Sequence, residues 1–180
     1  MKMKCVWPLV LLFVLAVPAR AQRKAVETSG DILVFATPAA GLITTLVLKD
    51  YQGLKQAAFS GATALATTYA LKYIVGKKRP DGSDNLSFPS AHTMVSFTGA
   101  AFIQRRYGWK FGAPAYALSA YVAWSRVYAR KHDVWDVLAG AAIGVGSAYI
   151  FTRPFARKHH LAVSPVILRN RPGIYVSMMF

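Results

Sequence analysis

The sequence predicts an all-α fold: a membrane-embedded bundle of five to six helices followed by a short β-like tail. Three observations predict it. Hydrophobic residues make up 54% of the 180-residue chain and charged residues only 16%, against about 25% in a soluble domain. Apolar segments of near-membrane length recur along the chain, separated by short clusters of Lys and Arg. Small residues punctuate them, Gly61, Ala62, Ala64 and Ala66 in one and Gly140, Gly144 and Gly146 in another, where close helix packing in lipid favours them. A soluble helical bundle would alternate Ala and Leu in much the same way. The low charge and the aromatic residues near segment ends, Tyr51, Trp109 and Trp135, favour the membrane.

Taken in order, the chain opens with Met-Lys-Met-Lys, an apolar run from Val6 to Val17, and Pro18-Ala19-Arg20-Ala21-Gln22. A basic head, a short apolar core and a small-x-small site read as a secretory signal peptide over residues 1–21. An uncleaved anchor is the alternative, and either puts residue 22 onward across the membrane. The sole cysteine, Cys5, lies in that segment, so the mature chain is expected to carry no disulfide. The apolar segments are Ile32–Leu48, Ala57–Val75, a short and rather polar Thr93–Ile103, Phe111–Val127 and Val134–Phe151. Residues 22–160 form one helical domain. Residues 161–180 alternate apolar and β-branched types around Asn170-Arg-Pro-Gly173, which predicts strand, turn and strand.

With 22 basic and 7 acidic residues the formal net charge is +15. The basic residues sit in clusters between apolar runs rather than along one solvated face, which argues against nucleic acid and for a membrane and an anionic substrate. With residue 22 outside, the loops 49–55, 105–110 and 153–158 fall inside and are basic, as the positive-inside rule asks. The loops 76–92 and 126–136 fall outside and are basic against that rule, so their charge needs another reason.

Those two outer loops hold three motifs: Lys72-x6-Arg79-Pro80, Pro89-Ser90-Ala91-His92, and Ser125-Arg126-x5-His132-x3-Asp136. On a helix His132 and Asp136 share a face. There the carboxylate can hold one ring nitrogen and leave the other free to attack. Arg126 offers a planar fork to two phosphate oxygens. Lys72, inside an apolar stretch, is costly without an anionic partner. Lys77 and Lys78 add general attraction for anions. Ser90 is placed as an N-cap, next to backbone N–H groups suited to phosphate, and His92 in the first turn could protonate a departing oxygen. Singly these are an ordinary surface pair, a snorkelling arginine and a capping serine; on one face their roles complement each other.

The three motifs resemble those of the type 2 phosphatidic acid phosphatases, in the superfamily of acid phosphatases and vanadium haloperoxidases, whose pattern is K-x6-R-P, P-S-G-H and S-R-x5-H-x3-D. The departure is Ala91 in place of Gly, where a methyl group would crowd the approach of phosphate and a positive φ would be strained. The resemblance implies His132 as a nucleophile forming a phosphohistidine, Asp136 orienting it, and His92 as acid and then base. Lys72, Arg79, Ser90 and Arg126 would hold the phosphoryl oxygens. No metal or other cofactor is implied. The expected activity is hydrolysis of a lipid phosphate or diphosphate (undecaprenyl diphosphate, phosphatidic acid, phosphatidylglycerol phosphate or a lipid A type) at the periplasmic face of a bacterial inner membrane. Alternatives are a soluble periplasmic acid phosphatase on small monoesters and a non-catalytic lipid-binding protein of the same fold; a haloperoxidase is disfavoured by the short, apolar chain.

Overall fold

The structure is a computed structural model that describes residues 19–155, 161–168 and 171–178. The expected signal segment lies outside the described residues up to residue 18. Among the described residues six helices run in order: α1 Ala19–Leu33, α2 Ala36–Val47, α3 Tyr51–Val75, α4 Ala91–Tyr107, α5 Trp109–Tyr128 and α6 Val134–Phe151. Strands β1 Leu161–Leu168 and β2 Arg171–Met178 pair antiparallel, with Leu161 opposite Met178 and Leu168 opposite Arg171. The two strands match those read from the tail, but Arg171, Pro172 and Gly173, expected in the turn, belong to β2, and Asn170 lies outside the described residues.

Local chemistry explains where the helices begin. The expected segment Ile32–Leu48 is broken: Val34 and Phe35 form a turn between α1 and α2. Pro38 stands in the first turn of α2, where its missing N–H costs nothing, and hydropathy alone does not register the restart. Helix α3 begins six residues before the expected Ala57. Its N-cap is Asp50, whose Oδ1 accepts from Gly53 N at 2.8 Å, so the loop expected over residues 49–55 shrinks to its first residues. Helix α3 ends at Gly76, which takes the left-handed conformation (φ 57°) and donates its N–H to Lys72 O, a conformation open to glycine without strain. Ser90 caps α4 and Asp133 caps α6.

Helix α4 is the axis of the bundle, packed by α2, α3, α5 and α6, while α1 lies on α5. Eleven of its residues are buried, among them Ser96, Thr98, Gly99 and Gln104. This explains why its sequence is the poorest span: a helix wrapped by protein meets little lipid and can be polar. Backbones approach closely at glycines. A Cβ on Gly140 or Gly144 would strike Ser90 O or Met94 O at 2.5 and 2.6 Å, whereas one on Gly61 or Gly146 would meet nothing within 4 Å. Two of the expected packing glycines therefore do that work and two face outward.

Burial runs opposite to that of a soluble domain. The interior holds small or polar side chains such as Ser60, Ala64, Thr68, Ser119 and Ala148, while Ile74 and Ile150 are 78% and 74% exposed, with Phe59, Tyr73 and Trp135 also outside. A belt of large apolar side chains on so many helices is stable against lipid and not against water. Val134–Phe151 has the length and apolarity to cross a membrane, and so has Ala21–Val47 when α1 and α2 are taken together through their turn. The bundle is a membrane protein.

At one end the bundle is closed by a buried ion pair. Arg106 donates from Nε to Asp50 Oδ2 at 2.7 Å and from Nη2 to Asp50 Oδ1 at 2.5 Å, while Nη1 reaches Arg153 O at 2.8 Å. Arg106 was expected as one of the loop charges; it is instead 6% exposed. The bidentate match to a carboxylate draws it in. The three outer motifs meet at the opposite end.

Candidate active site

His132 sits in the short connection between α5 and α6, one residue before the N-cap, so it does not share a helix with Asp136 as expected. The connection is held by its backbone: Lys131 N and His132 N both donate to Arg126 O, at 3.0 and 3.3 Å. Asp136 is the fourth member of a capping box, its Oδ2 accepting from Asp133 N at 3.1 Å while Asp136 N donates to Asp133 Oδ1 at 3.0 Å. This reciprocal cap turns the carboxylate back toward the connection, where Oδ2 lies 3.5 Å from His132 Nδ1. The pair is buried, with side chains 2% and 0% exposed.

Two partners of this pair were not read from the sequence as such. Ser87 Oγ donates to Asp136 Oδ2 at 2.5 Å and stands 3.5 Å from His132 Nδ1. Lys77, expected only as diffuse positive charge, donates to Asp136 Oδ1 at 2.8 Å and also pairs with Asp133. The Nδ1 edge of His132 is thus turned to protein, and Nε2 is the nitrogen left for a substrate. Burial first, then the Arg79 and Lys72 cations, depress the ring from 6.5 to about 4 despite the opposing pull of Asp136. A neutral imidazole among cations has a lone pair able to attack, next to side chains able to hold an anion. Burial works against the charge of Lys77, but its bonds to Asp133 and Asp136 hold it above the usual lysine range.

The remaining expected residues gather around this centre. Lys72 is 5% exposed and donates to Leu86 O at 2.5 Å; among the described residues no carboxylate comes within ion-pair distance of it. Arg79 is tied through Nε to Asp84 at 2.7 Å, so the loop folds back on its own cation. Ser90 caps α4 as expected, its Oγ accepting from Thr93 N at 3.4 Å and from Thr93 Oγ1 at 3.1 Å, and its backbone N–H donates to Asp136 O at 2.9 Å. Ala91 is the first residue of α4 and is not among the residues of positive φ, so the strain expected for a non-glycine residue there does not arise. Arg126 faces α1: Nη1 donates to Asp31 at 2.5 Å and Nη2 to Glu27 O at 2.6 Å. His92 Nε2 meets the same Asp31 oxygen at 3.0 Å. Asp31 was missed because it reads as the polar edge of an apolar run; the usable signal was scarcity, since the chain has 7 acidic residues in all.

The sequence profile of the PAP2 superfamily matches residues 32–159. The chain belongs to the PAP2 superfamily. Within it, the chain is 32% identical over 143 residues to a lipid A 4′-phosphatase of Helicobacter pylori, covering 73% of this chain and 72% of that one. It is 27% identical over 118 residues to a lipid A 1-phosphatase of the same species, covering 61% of this chain and 62% of the relative. The fold is that of the crystal structure of Aquifex aeolicus LpxE, with a TM-score of 0.60, 20% identity, and 69% of this chain and 83% of that one covered. This PAP2 protein is a lipid phosphatase, a hydrolase of phosphoric esters.

Proposed function

We propose that this lipid phosphatase hydrolyses a phosphate of a lipid A type glycolipid, without a metal, through a phosphohistidine on His132 at the periplasmic face of a bacterial inner membrane. The observation that carries the reading is the buried pairing of charge and nucleophile. Lys72 has no carboxylate partner among the described residues, and it stands beside a neutral His132 whose Nδ1 edge faces Asp136 and Ser87. A buried cation of this kind is stabilised by an incoming anion, and a phosphoryl group supplies one. The relatives that act on lipid A favour that substrate over phosphatidic acid, phosphatidylglycerol phosphate and undecaprenyl diphosphate.

The steps follow from the residues. Nε2 of His132 attacks phosphorus, a P–N bond forms and the P–O bond to the lipid breaks, with His92 giving its proton to the leaving oxygen. Asp136, fixed by Lys77, Ser87 and the capping box, stabilises the charge that develops on the His132 ring. Lys72, Arg79, Arg126 and the capped start of α4 at Ser90 neutralise the phosphoryl oxygens, the electrostatic part of the work. Water then attacks phosphorus, the P–N bond breaks, and His92 takes a proton back, releasing phosphate. Among the described residues no three His, Cys, Asp or Glu side chains group as metal ligands.

The test is phosphate release by purified protein in detergent from lipid A, phosphatidic acid, phosphatidylglycerol phosphate and undecaprenyl diphosphate, with small esters alongside. Lipid A is expected to turn over fastest, and quenching in alkaline detergent with ³²P-labelled substrate should trap label that survives alkali, is lost in acid and is absent from His132→Ala. Label retained on that variant, or turnover confined to small esters, would refute the reading.

A further inference from the structure

We propose that Asp31 is a positioning residue of this reaction: its carboxylate holds the His92 ring by Nε2, opposes the loss of its proton and turns it toward the leaving oxygen. The inference rests on the role given above to His92 as proton donor. A single oxygen makes the link, for Asp31 Oδ1 lies 3.0 Å from His92 Nε2 and 2.5 Å from Arg126 Nη1. With Nε2–H directed at a carboxylate, Nδ1–H is the proton left for the substrate, because an imidazolium has two donors. The site therefore contains two carboxylate–imidazole pairs, Asp136 with the nucleophile and Asp31 with the acid.

The carboxylate is itself held firmly. Arg126 is 2% exposed and spends Nη2 on Glu27 O at 2.6 Å and Nε on Ser125 Oγ at 3.2 Å, which fastens α1 along α5. Gly30 allows the approach, since a Cβ there would collide with Ser125 Oγ and Arg126 Nη2. Lys131 adds a second tie between α1 and the connection bearing His132, reaching Glu27 at 3.5 Å and Asp81 at 2.8 Å. Arg126 of α5 and Arg79 of the loop after α3 face His92 with positive charge, and Asp31 of α1 faces it with negative charge. Two cations and burial all disfavour an imidazolium, so an acid at this place needs an anion to keep its proton. The other carboxylates at this end are engaged elsewhere: Asp133 and Asp136 by Lys77, Asp84 by Arg79, Glu27 and Asp81 by Lys131.

Proton balance is simple. As the P–O bond breaks, the lipid oxygen takes the Nδ1 proton of His92, whose Nε2–H stays on Asp31. When water attacks the phosphohistidine, its proton returns to Nδ1. Asp31 is chemically unchanged at the end of each turnover.

The test compares two single-chain esters of matched apolar length, dodecyl phosphate and 4-nonylphenyl phosphate, with Asp31→Asn, Asp31→Glu and His92→Ala proteins in detergent across pH. A phenol leaves with a pKa of about 10, like a tyrosine, and needs little help, whereas an alkanol needs a proton donor. Asp31→Asn is expected to lower kcat on the alkyl ester about tenfold to a hundredfold, less than the roughly 10²–10⁴-fold that the acid–base group itself supplies. KM should stay within about threefold and the loss on the aryl ester below about threefold. The alkaline limb of its kcat profile should move to lower pH, since the acid loses its proton earlier. Asp31→Glu should recover most of the alkyl activity, and if Asp31→Asn does not fold, the Glu variant must show the same preference for the aryl ester in smaller measure. Equal losses on both esters with an unmoved limb would make Asp31 a purely structural tie and overturn the inference. A gain in activity or in vanadate affinity would overturn it too, by making the carboxylate a competitor of phosphate. If His92→Ala fails to discriminate the esters, the role of His92 falls; if it discriminates and Asp31→Asn does not, only the role of Asp31 falls.

Discussion

Acidification should expose the state of His132. Burial and the Arg79 and Lys72 cations bring its ring from 6.5 to about 4, a difference of about 2.5 pH units. At pH 5.5 a ring of pKa about 4 is roughly 97% neutral, while one at 6.5 is roughly 9% neutral, so the lone pair of the proposed nucleophile is about tenfold more available than that of an ordinary histidine. The sign for stability follows. The folded ring binds its proton less readily than the unfolded one, so the stability it contributes is present above pH 6.5 and is lost as pH falls toward 4. The loss is of order 3 kcal/mol at most, from about 1.4 kcal/mol per unit. The assay is ¹⁵N-histidine NMR in detergent micelles. The chain has four histidines, and the resonance absent from His132→Ala identifies the ring. The expected midpoint is near 4, and Arg79→Met, which removes the larger of the two cationic effects, should raise it. A midpoint of 6 or higher in the native protein would show that the ring is not sequestered among cations, and the account of the nucleophile would fail with it.

Other substitutions test separate parts of the structure. Ser87→Ala removes a donor to a buried carboxylate, a bond worth about 1.5–3 kcal/mol, and should lower kcat by about tenfold or more with KM little changed; unchanged kcat would leave Ser87 a packing residue. Arg106→Met strands the Asp50 carboxylate in the interior and should cost about 3–5 kcal/mol, read as a fall in the thermal midpoint in detergent, whereas loss below about 1 kcal/mol would mean the pair is solvated. Ala91→Gly should stay active because Ala91 already sits in ordinary helical backbone. Ala91→Val should lose roughly several-fold to a hundredfold in turnover and weaken vanadate inhibition in parallel. Native behaviour from the Val variant would reduce residues 89–92 to a helix cap.

The sequence was most legible where one physical signal decides the matter. The span Val134–Phe151 appears as α6 with the same ends, because Asp133 caps it and the run is apolar throughout. The pairing of His132 with Asp136 was legible from spacing, although the geometry that joins them was not: a capping box, not a shared helical face, turns Asp136 toward His132. Helix α4 looked weak because hydropathy measures contact with lipid, which α4 largely lacks. Arg106 looked like a loop charge because its bidentate partner lies 56 residues away, a separation that local pattern does not encode. Asp31, Ser87 and Lys77 were out of reach for the same reason, each acquiring meaning only from a partner on another element. Scarcity was the one clue available for Asp31, since in so basic a chain nearly every carboxylate has a structural appointment.

The central position of α4 has a consequence for how the protein is made. A helix carrying Ser96, Thr98, Gln104 and Arg106 is a poor independent passenger into a bilayer, where each polar group raises the cost of insertion. It becomes tolerable once neighbours surround it, and α6, which seats Gly140 and Gly144 against its backbone, is synthesised after it. Insertion of the helix that bears Ser90 and His92 therefore waits on the end of the bundle, and the two imidazoles come together only when the last span is in place. A chain truncated before Val134 should leave α4 poorly inserted and open to protease, so that assembly in the membrane and completion of the site are one event.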